Sequence, residues 1–159
     1  MVEYFAMTDE KATLTTFLTA QRDSVRAVLD GLDAAALGTA VLPSGWTPLG
    51  MLEHLGDAER HWFGEVMLGE GEGEADRPDD PTPRSPDVVH AYYRTQCARS
   101  DAVIAATPLD TPPKGTHPGL DVEDLRWVIL HMIEETARHA GHLDIVRELL
   151  DGATGLGPR

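Results

Sequence analysis

Apolar positions along this chain recur at helical spacing in four long stretches, and no stretch alternates as a strand does. The first runs from about Asp9 to Leu29, with Leu14, Leu18, Val25 and Leu29 on one stripe and Gly31 closing it. In "LPSGWTPLGMLEHLGDAERHWF" a turn at Pro43-Ser44-Gly45 precedes Thr47, an N-cap, and Pro48, which tolerates the first helical position because its missing N–H has no partner there. That second helix is expected to reach about Leu68. The third starts at Ser85-Pro86 and ends before Pro108. The fourth is expected to take Asp121 as its N-cap, with Glu123 and Asp124 in the first turn, and to run to Leu150 before Gly152 stops it. The pattern predicts an all-α four-helix bundle, one domain over residues 1–159, with no internal repeat.

The connections add a topological expectation. "GEGEGEADRPDDPTPR" after the second helix, roughly sixteen residues, is longer than antiparallel neighbours in a bundle need. It is either a crossover that leaves the second and third helices parallel or a flexible acidic loop. A second Pro/Gly segment, "TPLDTPPKGTHPG", leads into the last helix.

Two helices carry ionisable groups where apolar ones are expected. On the last, Val128, Met132, Glu135, His139, His142, Val146 and Leu149 step by threes and fours, which reads as an inward seam. On the second, Met51, His54, Ala58, His61, Glu65 and Leu68 do the same. A buried carboxylate is costly unless protonated or paired. Glu135 and His139 stand four apart and reach a common ion, and His54 is the preferred third ligand. Three N/O ligands leave a coordination position open, as in catalytic zinc sites; Ni²⁺, Fe²⁺ and Mn²⁺ also suit such a set. The competing reading is a polar, hydrogen-bonded core network. His142 is open between third ligand, outer partner and substrate contact; His131 lies slightly off the seam; Glu134 and Arg138 turn aside. His90 and His117 belong to neither seam and receive no role. HExxH is absent, and no glutamate precedes a histidine by three, which disfavours a ferritin-like di-iron site.

Composition narrows the partners. A net charge of −14 over 159 residues repels phosphates, so neither nucleic acid nor an anionic membrane is expected as a partner. Cys97 is the only cysteine, which excludes an intramolecular disulfide and fits a reducing, cytoplasmic setting; it reads as a packing residue. The start, MVEYFAMTDE, has neither the basic region nor the apolar run of a signal peptide, and no apolar stretch is long enough to span a bilayer.

The segments "PSGWTPLGMLEHLGDAERHWF" and "LRWVILHMIEETARHAGHLDIVRELLDGATG" together resemble the DinB/YfiT-like superfamily of metalloenzymes, in its actinobacterial-type branch. The resemblance implies an up-down-down-up four-helix bundle and a divalent metal held by one histidine of the second helix and a pair spaced by four on the last. Those positions are His54, Glu135 and His139 here. The Glu/His form of the pair resembles the mycothiol-dependent maleylpyruvate isomerase relatives. Where many relatives carry Gly-Gln after the last ligand, this chain has Gly141-His142. Relatives with known activity use a low-molecular-weight thiol, mycothiol or bacillithiol, in transferase or isomerase reactions, so the resemblance also implies a mycothiol-type cofactor and an electrophilic small-molecule substrate. Pairing of bundles as a homodimer is implied as well.

The leading expectation is therefore a metal-dependent thiol S-transferase or isomerase-like enzyme, with His142 or His61 moving a proton or orienting a water. One alternative is a metal-dependent hydrolase with Glu65, Asp57 or His142 as base. The other is a non-catalytic bundle that binds a small ligand.

Overall fold

The computed structural model describes residues 9–71 and 84–155, and among these every regular element is helical. The first helix, α1 (Glu10–Leu29), is capped by Asp9, whose side chain accepts from the Lys11 N–H. A single turn, α2 (Ala34–Leu37), follows, capped by Asp33. It is a fifth helix that the periodicity did not announce, because four residues are too short to show a period. In α3 (Pro48–Glu59) the Thr47 hydroxyl accepts from the Gly50 N–H at 3.0 Å, as its sequence suggests. α3 passes without a break into a π-helical stretch, Arg60–Met67. The last two helices are α4 (Pro86–Ala106) and α5 (Leu125–Asp151).

α5 begins later than expected. Its cap is Asp124, which accepts from the Trp127 N–H at 2.9 Å, rather than Asp121. The Leu125 and Arg126 N–H groups instead reach back to the carbonyls of Thr111 and Leu109, so the preceding loop takes up donors at the start of the helix. Gly152 does end α5, in the left-handed conformation at φ 78°.

The helices pair along their length. At one end of α1 and α5, Arg126 donates to Glu10 at 2.6 Å; at the other, the Arg147 guanidinium donates to the carbonyls of Val28 and Asp30 at 2.7 and 2.6 Å. Arg84 meets Glu53 at the starts of α4 and α3, Tyr92 donates to Asp57 in the middle, and Arg99 meets Glu70 towards the other end. Residues 72–83, most of the acidic connection, lie outside the described residues. The apolar core has two lobes. One gathers Val25, Leu29, Met51, Leu55, Tyr93 and Leu143; the other gathers Leu18, Phe63, Val66, Ile104, Val128 and Met132. Each fully buried aliphatic side chain contributes about 1.5–3 kcal/mol. Among the described residues, no helix is long and apolar enough to cross a membrane.

The buried stripe of α5 corrects the expected seam. It runs Leu125, Val128, Ile129, Met132, Thr136, Ala140, Leu143 and Val146, while Leu149 is exposed. The two stripes share Val128, Met132 and Val146 but part between them, where Thr136, Ala140 and Leu143 are buried one residue on from Glu135, His139 and His142. One residue is about 100° of helix, so Glu135, His139 and His142 stand on the flank of the stripe, half-buried, with Thr136 and Ala140 in the core beside them.

Candidate metal centre

Three of the expected residues come together from two helices. The Nε2 atoms of His54 on α3 and His139 on α5 both reach one oxygen, Glu135 Oε1, at 3.1 and 3.0 Å. One donor atom from each of the three residues lies within 4.8 Å of the others, and this is the one such grouping among the described residues. Glu135 and His139 meet because they are one turn apart. His54 meets them because α3 lies alongside α5. The imidazoles of His54 and His139 stand edge to face with centroids 4.9 Å apart, and the exposed Trp46 ring lies 5.5 Å from His54.

The electrostatics favour an ionised carboxylate. The hydrogen bond from His54, aided by His139, pulls the Glu135 carboxyl down to about 2 against the cost of burial. The two imidazoles respond in opposite directions. His54 is raised by its hydrogen bond to Glu135, whereas burial outweighs the same carboxylate at His139 and lowers it. The charges around them differ as well: Asp57 adds to Glu135 in favouring the cation at His54, whereas His54 and His142 oppose it at His139. Without a cation, His54 is the better site for the positive charge and His139 stays neutral.

These residues fit a divalent metal. Two ring nitrogens and a carboxylate oxygen converge on one locus, Glu135 is ionised, and the side chains are 18–37% accessible, leaving room for an outside ligand. A set of two nitrogens and one oxygen suits zinc among several transition metals.

The other expected site residues fall elsewhere. His142 is half-buried near His139, where its charge would oppose protonation of that ring. His61 lies further along, bonded to Glu65 at 2.5 Å and to His117 at 2.8 Å. His131 sits against Trp62, with ring centroids 4.3 Å apart, and stacks on Trp127. Glu134 and Arg138 are exposed, as their phase on the helix predicts. His117 was not legible as a partner of His61, because a residue in a Pro/Gly loop carries no periodic signal.

A family model described as mycothiol-S-transferase matches residues 13–152, nearly the whole of the described helical chain. It is a DinB/YfiT-like family, in agreement with the resemblance carried by the two histidine-bearing segments. No curated protein matches the chain.

Proposed function

We propose that this chain, which belongs to the mycothiol-S-transferase family, is a divalent-metal-dependent enzyme that joins a mycothiol-type thiol to an electrophilic small molecule, with His54, Glu135 and His139 as the metal ligands. The carrying observation is the meeting of the three donor groups at Glu135 Oε1 on an accessible face. A bound zinc ion would supply Lewis acidity that keeps the thiol as thiolate near neutral pH. The chain's own part is to present an ionised Glu135 and a neutral His139, to offer the Trp46 ring as an apolar wall, and to keep His142 beside His139 for orienting a water or proton. No cysteine of the protein is required. Cys97 is buried, and burial together with Glu59 pushes its thiol up to about 12.

The up-down-down-up connection belongs to the same proposal. It is supported by the like ends of α1 and α5 meeting, and by the like ends of α3 and α4 meeting. Two of the three bases of the hydrolase alternative are engaged elsewhere, which leaves it His142: Glu65 is held by Arg60 and His61, and Asp57 accepts from the Tyr92 hydroxyl.

The test is conjugation of iodoacetamide by purified, zinc-reconstituted protein with and without mycothiol, beside elemental analysis. Thiol-dependent conjugation, with about one metal per chain lost in Glu135→Ala, is expected. Turnover of an ester without thiol, or metal content unchanged in both His54→Ala and Glu135→Ala, sinks the proposal.

A further inference from the structure

A second histidine cluster lies two turns beyond His54 on the α3–π element, and the metal centre uses none of it. The Glu65 carboxylate is gripped on both oxygens, by the Arg60 guanidinium at 2.5 Å and by His61 Nδ1 at 2.5 Å. The other nitrogen of His61, Nε2, stands 2.8 Å from Nδ1 of His117. His117 stacks on Trp62 at a centroid distance of 4.8 Å, and the same indole carries His131.

The loop is built to hold His117 there. The N–H groups of Lys114 and Gly115 donate to the carbonyls of Met67 and Val66, which the end of the π-helical stretch leaves free. Gly115 passes so close that a Cβ would lie 2.2 Å from the Glu65 carbonyl oxygen. His131, one turn before Glu135 on α5, packs on the same Trp62 ring as His117, so this second cluster is joined to the helix that carries the metal centre.

The hydrogen bonds have a direction. An ionised carboxylate only accepts, so His61 donates through Nδ1 and turns Nε2 to His117. One proton lies between the two facing nitrogens, on either ring. His117 Nε2 has no hydrogen-bond partner among the described residues, and the ring is half-buried, so the chain ends in one open nitrogen.

Resting on the transferase reading, we propose that Glu65, His61 and His117 form a proton relay that serves electrophiles whose reaction with a thiol creates an oxyanion: epoxides and α,β-unsaturated carbonyls. The thiolate pair forms the C–S bond; the epoxide C–O bond breaks, or the enone π electrons shift, and the released pair settles on oxygen. That oxygen takes the Nε2 proton of His117. The inter-ring proton moves from His61 Nε2 to His117 Nδ1, and the imidazolium of His61 becomes neutral while its Nδ1–H stays on Glu65. The proton lost by the thiol on ionisation returns through solvent to reload the pair, so the addition is proton-neutral overall. An alkyl halide needs none of this, because halide leaves as a stable anion. Arg60, His131 and, through His131, Glu134 and Glu135 are the other ionisable groups around the relay. His117 is the catalytic residue; His61 and Glu65 are positioning residues.

The experiment compares styrene oxide with iodoacetamide as substrates of the zinc-reconstituted full chain and mycothiol. His117→Ala and His61→Ala are expected to lower the ratio of epoxide to halide rates by about 100-fold, and Glu65→Gln by about 10-fold. A ratio within about twofold of wild type in both histidine variants overturns the relay, since lost folding lowers both rates together. Wild type that conjugates iodoacetamide but not the epoxide also overturns it, while the transferase reading survives. Wild type that conjugates neither removes the transferase reading and the relay with it. Independently of turnover, a low-field, hydrogen-bonded imidazole N–H resonance is expected in the NMR spectrum of the folded protein and lost in either histidine variant; its absence from wild type overturns the relay.

Discussion

Two polar clusters sit five residues apart on α3 and face opposite ways. Glu59 turns to α1, where Arg22 grips it with Nε at 2.7 Å and Nη2 at 2.6 Å, both side chains at most 3% exposed. Arg22 Nη1 adds Asp101 at 2.7 Å. His54 turns to α5, where one carboxylate oxygen serves two imidazoles in view of solvent. In the first cluster, both oxygens of Glu59 and each nitrogen of the Arg22 guanidinium find partners within the chain. In the second, donor atoms from three side chains converge on one locus that stays 18–37% accessible. A buried charge whose partners are all internal ties helices together; an accessible cluster of convergent donor atoms is a place for an outside partner.

The contrast breaks most visibly under substitution of the sealed pair. Arg22→Met strands Glu59 in the core and is expected to cost about 3–5 kcal/mol in chemical denaturation, with the double variant Arg22→Met/Glu59→Leu regaining most of it. If Arg22→Met costs no more than His54→Ala, the two clusters do not differ in kind. Glu135→Ala in the open centre should destabilise the metal-free protein by about 1–3 kcal/mol, less than Arg22→Met does. Its zinc affinity should fall beyond the ~10–100-fold typical of removing an outer hydrogen-bond partner, as read by competition with a chromophoric chelator.

The smallest expected effect is on pH dependence of the metal-free protein. Glu135 is depressed from 4.5 to about 2, so its contribution to stability is complete above 4.5 and is lost as pH falls towards 2. His54 is raised, so its contribution is complete below 6.5 and is lost as pH rises through its folded value. Thermal unfolding over the acid window should therefore show a steeper loss in wild type than in Glu135→Gln. Parallel curves would mean that the carboxylate gains nothing from the two histidines.

Much of this was legible in the sequence, for reasons that particular residues make plain. Thr47-Pro48, Ser85-Pro86 and Gly152 mark boundaries because caps, fixed φ and left-handed backbone are local chemistry. Glu135 and His139 could be paired because spacing within a helix fixes which side chains meet. Arg22 carried the same kind of signal, lying between Leu18 and Val25 on the apolar stripe of α1, yet its partner on another helix could not be read from spacing. Asp121 was a reasonable cap; Asp124 took the role because the backbone of residues 109–111 claims the first N–H groups of α5.

What the sequence determined by itself was therefore whatever depends on near neighbours: the long helices, most of their ends, and the segments that carry the ionisable side chains. Tertiary structure alone decided that Thr136, Ala140 and Leu143, rather than Glu135, His139 and His142, face the core, because both sets carry helical spacing and only the packed neighbours choose between them. It also decided that Arg22 seals Glu59 and that a loop histidine completes the chain begun at Glu65. Contacts between residues 37, 56 or 81 positions apart depend on how helices and loops close on one another, and no local rule encodes that.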